Sequence, residues 1–455
     1  MSRPDYSSKG DLTAGHIPQH LVRLTVPMIW GIMAIVSFQL VDTWYISMLG
    51  TRELAAISFT FPVTYILFNL VMAQGIATSS VLSRLIGKGN PSRVRRVATH
   101  SILFAFISGL LFAALGIASI DSLFGLMGAD DSMMPVIRDY MVIWFAGSIF
   151  LTTPMVGNSA IRATGDTRTP ALIMTIAAVS NALIAPILVF GLWGFPRLEV
   201  QGAAMATLLT NIGATIAALY ILYYKKKMIS RSRWHMALFK DSVKKLLVIA
   251  IPVSIASIMQ PVAGAVITGL LAQHGAEAVA AFGIASRVEA FSFVIIMALA
   301  TGMAPIIGQN WGAGLYHRVD ETLKAAIRFS VIWSLLVAGL LIAFAAPITS
   351  LFTNEPEVTR LAVLFFWIVP ATYWLGNLVQ GWSSAFNAMG MPRQSFIMIA
   401  VKLIVLTIPA AMIGSHLYGV AGIFTALALV NIITGAGFHI MNRSLCQRHQ
   451  QAVMV

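Results

Sequence analysis

Asp42 is the single carboxylate in an apolar run from Leu24 to Leu49, a run long enough to cross a bilayer as a helix. At 1.5 Å per residue it lies roughly 10 Å inside the far end of that run. A carboxylate at that depth is costly unless it is protonated, paired or wetted by a cavity. Two readings follow. It exchanges a proton on a moving helix, or it is a helix-end Asp that snorkels to the interface. The run also carries Pro27 and Gly31 near its other end, where a missing backbone hydrogen bond makes bending cheap. A titratable group on a hinged helix is what a proton- or cation-driven transporter requires. By helical spacing Met28, Gly31, Ile35, Phe38, Gln39 and Asp42 share one face, so Gln39 is expected to support the carboxylate.

Glu289 is the other carboxylate near the middle of an apolar segment, with Arg287 two residues away and off its face. A structural ion pair with another group and a second titrating site are both open to it. Among 23 Met and 25 Phe, most belong against lipid or between helices. Met33, Phe38 and Met155 are expected to line an adaptable apolar cavity for substrate. The histidines lie at segment ends or in loops, with no pair at a metal-binding spacing. No G-x-x-x-x-G-K-[ST] phosphate loop is present, so ATP is not the driver. No Ser-His-Asp or Cys-His set can be assembled at helical spacing, so neither an enzyme nor a cofactor is implied. One cysteine, Cys446, excludes an intramolecular disulfide.

These residues need a membrane to position them. The 455-residue chain is 58% hydrophobic and 10% charged, against about 25% charged in soluble domains. Its mean hydropathy is +0.82. Twelve apolar segments are read at 20–50, 54–86, 93–120, 134–158, 169–192, 200–224, 244–273, 277–308, 320–347, 358–386, 394–415 and 420–442. Connections after odd segments are acidic or neutral, with Asp121, Asp130, Asp131, Glu199 and Glu277. Those after even segments are basic, with Lys88, Arg93, Arg162 and Arg168. The net charge of +13 is thereby read as a positive-inside bias, with no nucleic-acid partner. Both termini are expected in the cytoplasm and the protein in the inner (plasma) membrane. The polar first 23 residues are not expected to form a cleavable signal.

The expected division is a tail at 1–19, an N-lobe at 20–224, a basic linker at 225–243, a C-lobe at 244–442 and a tail at 443–455. The halves match at an offset of 225 residues, which pairs Pro27 with Pro252, Gly50 with Gly275, Gly89 with Gly314 and Gly165 with Gly390. After a shorter loop the offset falls to 220 and pairs Gly202 with Gly422 and Asn211 with Asn431. Six spans per half is even, so both halves point the same way and the repeat axis follows the membrane normal. The linker reads as a solvated connection with partial contact to anionic lipid, or as an amphipathic helix lying on it.

The first span Pro27…Asp42, the turn Gly87-Lys-Gly89, the motif Ala160-Ile-Arg-Ala-Thr-Gly165 and its counterpart Ala385-Phe-Asn-Ala-Met-Gly390, and Asn181 in SNALIAPILVFG stand in order along the chain. In that set the chain resembles a multidrug and toxic compound extrusion (MATE) transporter, over residues 15–443. The first-span Asp is similar to the DNA-damage-inducible-F-like prokaryotic branch. The resemblance implies an all-α membrane protein of twelve helices in two pseudo-symmetric six-helix lobes. It implies export of cationic or amphipathic small molecules against protons or sodium, by a monomer. It also places Asn158, Asn181 and Tyr140 around Asp42 as a polar shell. The bland reading for these three is interhelical packing, worth about 0.6–2 kcal/mol per bond. Two departures stand out. A second carboxylate that relatives carry four residues after Asn181 is Ala185 here, and the seventh-span Glu of another branch is Gln260. With one carboxylate and amide neighbours, proton antiport is expected, with sodium coupling or a lipid-linked precursor flippase as alternatives.

Overall fold

The computed structural model describes residues 11–230 and 235–454, with side chains described to residue 443. Residues 1–10 of the expected tail, Arg231 and Arg233 of the linker, and the Cys446 side chain lie outside that description.

The first half runs α1 (Ile17–Ser47), α2 (Thr51–Gly87), α3 (Pro91–Leu126), α4 (Met134–Ala146), α5 (Ser148–Ala163), α6 (Arg168–Phe190) and α7 (Glu199–Tyr220). The second runs α8 (Met236–Ala272), α9 (Ala276–Gly312), α10 (Tyr316–Ala343), the short α11 (Ala345–Ser350), α12 (Pro356–Ile368), α13 (Tyr373–Met389), α14 (Pro392–Ala400) and α15 (Ile408–Met454). Among the described residues ten helices are long and apolar enough to cross a bilayer, and α4 with α5 makes one more span, bent by 43°. The last of the ten, Pro392–Arg443, is broken at Tyr418 and Gly419, where the backbone leaves helical geometry. Counted as two, it completes twelve spans.

Local chemistry sets the helix ends. Asn90 accepts the Arg93 N–H at 3.1 Å and Pro91 opens α3, so a capping acceptor and a fixed φ start the helix together. Pro356 and Pro392 open α12 and α14 in the same way. The repeat is visible in the backbone. Gly89 and Gly314 have φ of +67° and +77°, and Gly165 and Gly390 have +80° and +81°. That left-handed region is one that only glycine enters without strain. Both halves also break one span at the same repeat position. Gly147 separates α4 from α5, and a 3₁₀ turn at Pro370–Thr372 separates α12 from α13.

The chain clusters into two compact units, Met1–Leu12 with Val26–Ala250, and Thr13–Thr25 with Ile251–Val455. The first turns of α1 belong to the second unit because a Cβ on Gly302 would fall 2.8 Å from Thr25 Oγ1, and because Arg318 donates to the Gly15 carbonyl at 3.0 Å. The chain changes unit one residue before Pro27 in α1 and again one residue before Pro252 in α8. The first unit's core is built on Ile46, Phe124, Tyr140, Phe145, Val189 and Ala203. The second unit's is built on Ala281, Ala285, Phe365, Phe366, Ile423 and Phe424. The linker is fastened to the first unit. Lys226 pairs with Asp166 at 2.7 Å, Ser230 N–H donates to Thr99 at 2.8 Å, and Ser242 meets the His100 ring at 2.9 Å. Of its described residues, Lys226 to Ser230 are not helical, whereas those from Met236 onward form the start of α8.

Candidate functional site

The first unit builds the site around α1. Asp42 is partly buried, and its Oδ1 is fully buried with no hydrogen-bond partner among the described residues. Two contacts hold α1 to α6 on either side of it. A Cβ on Gly31 would lie 3.1 Å from the Ala171 Cα, so the helix axes approach closely there. Further along, the Tyr45 hydroxyl donates to the Ala182 carbonyl at 3.1 Å. Gly31, read in the sequence as part of a hinge, is thus the close-approach point of two helices. Pro27 sits within an unbroken α1.

The expected shell is placed unevenly. Tyr140 on α4 is 8% exposed and lies within electrostatic reach of Asp42. Asn181 on α6, next to Ala182, donates to the Thr207 hydroxyl of α7 at 3.2 Å, while its Oδ1 is buried without a partner among the described residues. Thr207 is a member of this cluster that sequence reasoning missed, because a threonine in an apolar span carries no signal of its partner. Asn158 is buried with an equally unpartnered Oδ1. It lies five residues from the end of α5, whereas Tyr140 lies midway along α4. At 1.5 Å per residue the two are roughly 25 Å apart along the span, so one carboxylate cannot touch both. Gln39 is exposed and makes no contact with Asp42 among the described hydrogen bonds. Met33 and Phe38 are half-buried on α1. Met155 lies where α5 meets α2, its carbonyl 3.7 Å from a Cβ built on Gly75. Ala185 is fully buried in α6, so no carboxylate approaches from that turn.

The second unit carries its own polar cluster. Glu289 on α9 accepts a hydrogen bond from the Tyr373 hydroxyl at 2.6 Å. Lys402 lies within electrostatic reach of Glu289 and donates to the Gly376 carbonyl at 3.4 Å. Arg287 is exposed and takes no part. Near the linker, burial pushes the Asp166 carboxyl up, but the Lys226 ammonium and the Thr169 N–H and hydroxyl together hold it below the ordinary carboxylate range. Among the described residues no group of three His, Cys, Asp or Glu side chains could hold a metal ion.

Comparison with known proteins agrees with the duplicated, all-helical fold. The family profile described as MatE matches twice, at residues 27–187 and 252–413, once in each half. The chain is 37% identical to a protein of Shewanella oneidensis named FAD transporter, over 96% of each chain. It is 25% identical to the multidrug export protein MepA of Staphylococcus aureus, over 90% of each. Its fold superposes on the Vibrio cholerae MATE transporter VcmN in the bent form with a TM-score of 0.90 at 28% identity, covering 95% of this chain and 97% of that one.

Proposed function

Because the chain belongs to the MatE family, whose members are membrane transporters and not enzymes, we propose that it is a secondary exporter driven by protons binding at Asp42. The observation that carries this reading is the buried Oδ1 of Asp42, without a partner among the described residues, on a helix that changes unit beside Pro27. An ionised carboxylate without a partner demands water or a cation. Adding a proton removes most of the cost of burying it, which amounts to several kcal/mol. The neutral side chain then settles into a drier packing, and α1 bends near Pro27, where one backbone hydrogen bond is absent. Bending has to loosen the Gly31–Ala171 approach and the Tyr45–Ala182 bond. Only a difference in proton affinity between the two shapes drives the cycle. Sodium prefers several oxygen ligands, and Ala185 removes one that relatives carry, which supports the proton. A flippase for lipid-linked precursors would need a strongly cationic interior, and intramembrane Arg and Lys are few.

For the cargo we propose amphipathic small molecules. A cationic drug is one case. A flavin dinucleotide, apolar at its rings and anionic at its diphosphate, is a second, favoured by the higher identity to the relative named FAD transporter. The test is transport in proteoliposomes under an imposed pH gradient, with FAD and a cationic dye offered separately and in competition. The parent should export at least one of them, and Asp42→Asn should insert yet fall to the level of empty vesicles. Export that survives the substitution, or that follows a sodium gradient and ignores pH, would overturn the coupling. We place both termini in the cytoplasm of the inner membrane. Cys446 should therefore resist an impermeant maleimide in intact cells and react after permeabilisation.

A further inference from the structure

The second unit holds a cluster that proton binding at Asp42 does not use. Glu289 lies about 20 Å along α9 from its start, deep in an apolar helix. Its Oε1 takes the Tyr373 hydroxyl at 2.6 Å. Tyr373 is positioned by the break at Pro370–Thr372, which starts α13 at the level of Glu289. Lys402 approaches from a π-helical turn, Val401–Thr407. Such bulges are frequent where a helix carries a functional side chain. The Thr407 hydroxyl donates to the Lys402 carbonyl at 2.7 Å, which satisfies a backbone group that the π turn rearranges. Acid and amine do not close on each other. Lys402 donates to a backbone carbonyl, and the ion pairs within 4.0 Å among the described residues do not include the two. A buried charge pair left open does not recover its desolvation cost.

Next to this cluster is a void of about 20 Å³ lined by Ile296, Ala300, Ser330, Asn377, Leu378 and Gly381, among others, room for about one water molecule. Asn377 is one helical turn beyond Tyr373, and Ile296 is two turns beyond Glu289. Ser330 is 6% exposed, and its hydroxyl is buried with no partner among the described residues. Asn377 donates to Ser334 at 2.9 Å. The void between α9, α10 and α13 is lined mostly by apolar side chains, with Ser330 and Asn377 as its polar members and Asn377 one turn from Tyr373.

We propose that Glu289 is a second proton-exchange site, placed by Tyr373, balanced by Lys402 and reached through the void beside Ser330 and Asn377. The step is simple: a proton from water forms an O–H bond on the Glu289 carboxylate, and the cluster goes from neutral to singly positive. The charged groups of the neighbouring helices do not compete. Those of α10, from His317 to Arg328, lie toward its N-terminus, and Glu357 and Arg360 of α12 pair with each other. On α9 itself Arg287 and Glu277 are exposed. The proposal rests on proton-driven export but is separable from the role of Asp42.

The experiment is infrared difference spectroscopy between acidic and alkaline pH on the purified full chain in lipid nanodiscs, performed on Asp42→Asn so that the first site is silent. A carboxylic-acid C=O band should titrate in that protein and vanish in Asp42→Asn/Glu289→Gln. Tyr373→Phe in the same background should keep the band with a displaced midpoint, and it serves as the readout if the Gln variant does not fold. A difference spectrum that Glu289→Gln leaves unchanged, or a midpoint indifferent to Tyr373→Phe, overturns the proposal. Continued export by Asp42→Asn would sink the first-unit reading without touching this one.

Discussion

The two buried carboxylates sit in halves that share a backbone plan and treat charge in opposite ways. Asp42 has an oxygen with no partner among the described residues, on a helix that changes unit near a proline. Glu289 has a phenol in contact and an amine nearby, on a helix that stays within one unit. Under the repeat, Asp42 pairs with Ile267, an apolar member of the second unit's core. The comparison teaches that the duplicated fold supplies equivalent turns, breaks and close approaches, while each half places its acid on a different helix. In our proposal the group left alone drives the change of shape, and the group given partners holds its shape and changes its proton count.

The sharpest way to break this contrast is to neutralise each acid. Asp42→Asn should abolish gradient-driven export. Glu289→Gln should leave export measurable, lowered by about 10-fold, an effect equivalent to about 1.4 kcal/mol. Equal losses in proteoliposome rates would erase the distinction between the units.

A second test addresses what the halves share. A Cβ on Gly202 would lie 2.6 Å from the Leu188 carbonyl, and one on Gly422 would lie 2.0 Å from that of Gly414. In both halves, helices meet backbone to backbone at the equivalent residue. Gly202→Ala and Gly422→Ala should each destabilise the protein by about 1–3 kcal/mol, with the larger loss at Gly422. Thermal unfolding in detergent measures it, and a neutral result at either position would end the equivalence there.

The smallest expected effect marks a feature that only the first half carries. Asp166 pairs with Lys226, their side chains 23% and 26% exposed, and its carboxyl is held below its ordinary value. A lowered folded pKa contributes stability above the unfolded value, about 3.9, and that contribution is lost as pH falls through the folded value. Asp166→Asn should cost about 1 kcal/mol at neutral pH, and the difference from the parent should vanish in strong acid. A gap that persists there would mean packing, not charge, is responsible.

Much of this was legible in residue order because it is local or periodic. Apolar length marks each span, basic loops alternate with acidic ones, and a glycine required for a left-handed turn reads the same at Gly165 and at Gly390. Asp42 stood out because one carboxylate in a long apolar run is costly wherever the helix packs. Tertiary structure alone decided which helices meet. Glu289 and Tyr373 lie 84 residues apart, and no periodicity links α9 to a tyrosine at the break of another span. Gly31 reads in the sequence as part of a hinge, and its close approach to Ala171 of α6 is visible only in the tertiary structure. Gln39 shares a helical face with Asp42 but is exposed, because spacing ranks residues around an axis without saying which side a neighbour covers. Asn158 and Tyr140 were grouped by resemblance, and the length of the span between them keeps them from a common contact. Composition and period determine what must be buried; the pairing of distant helices determines which buried polar group finds a partner.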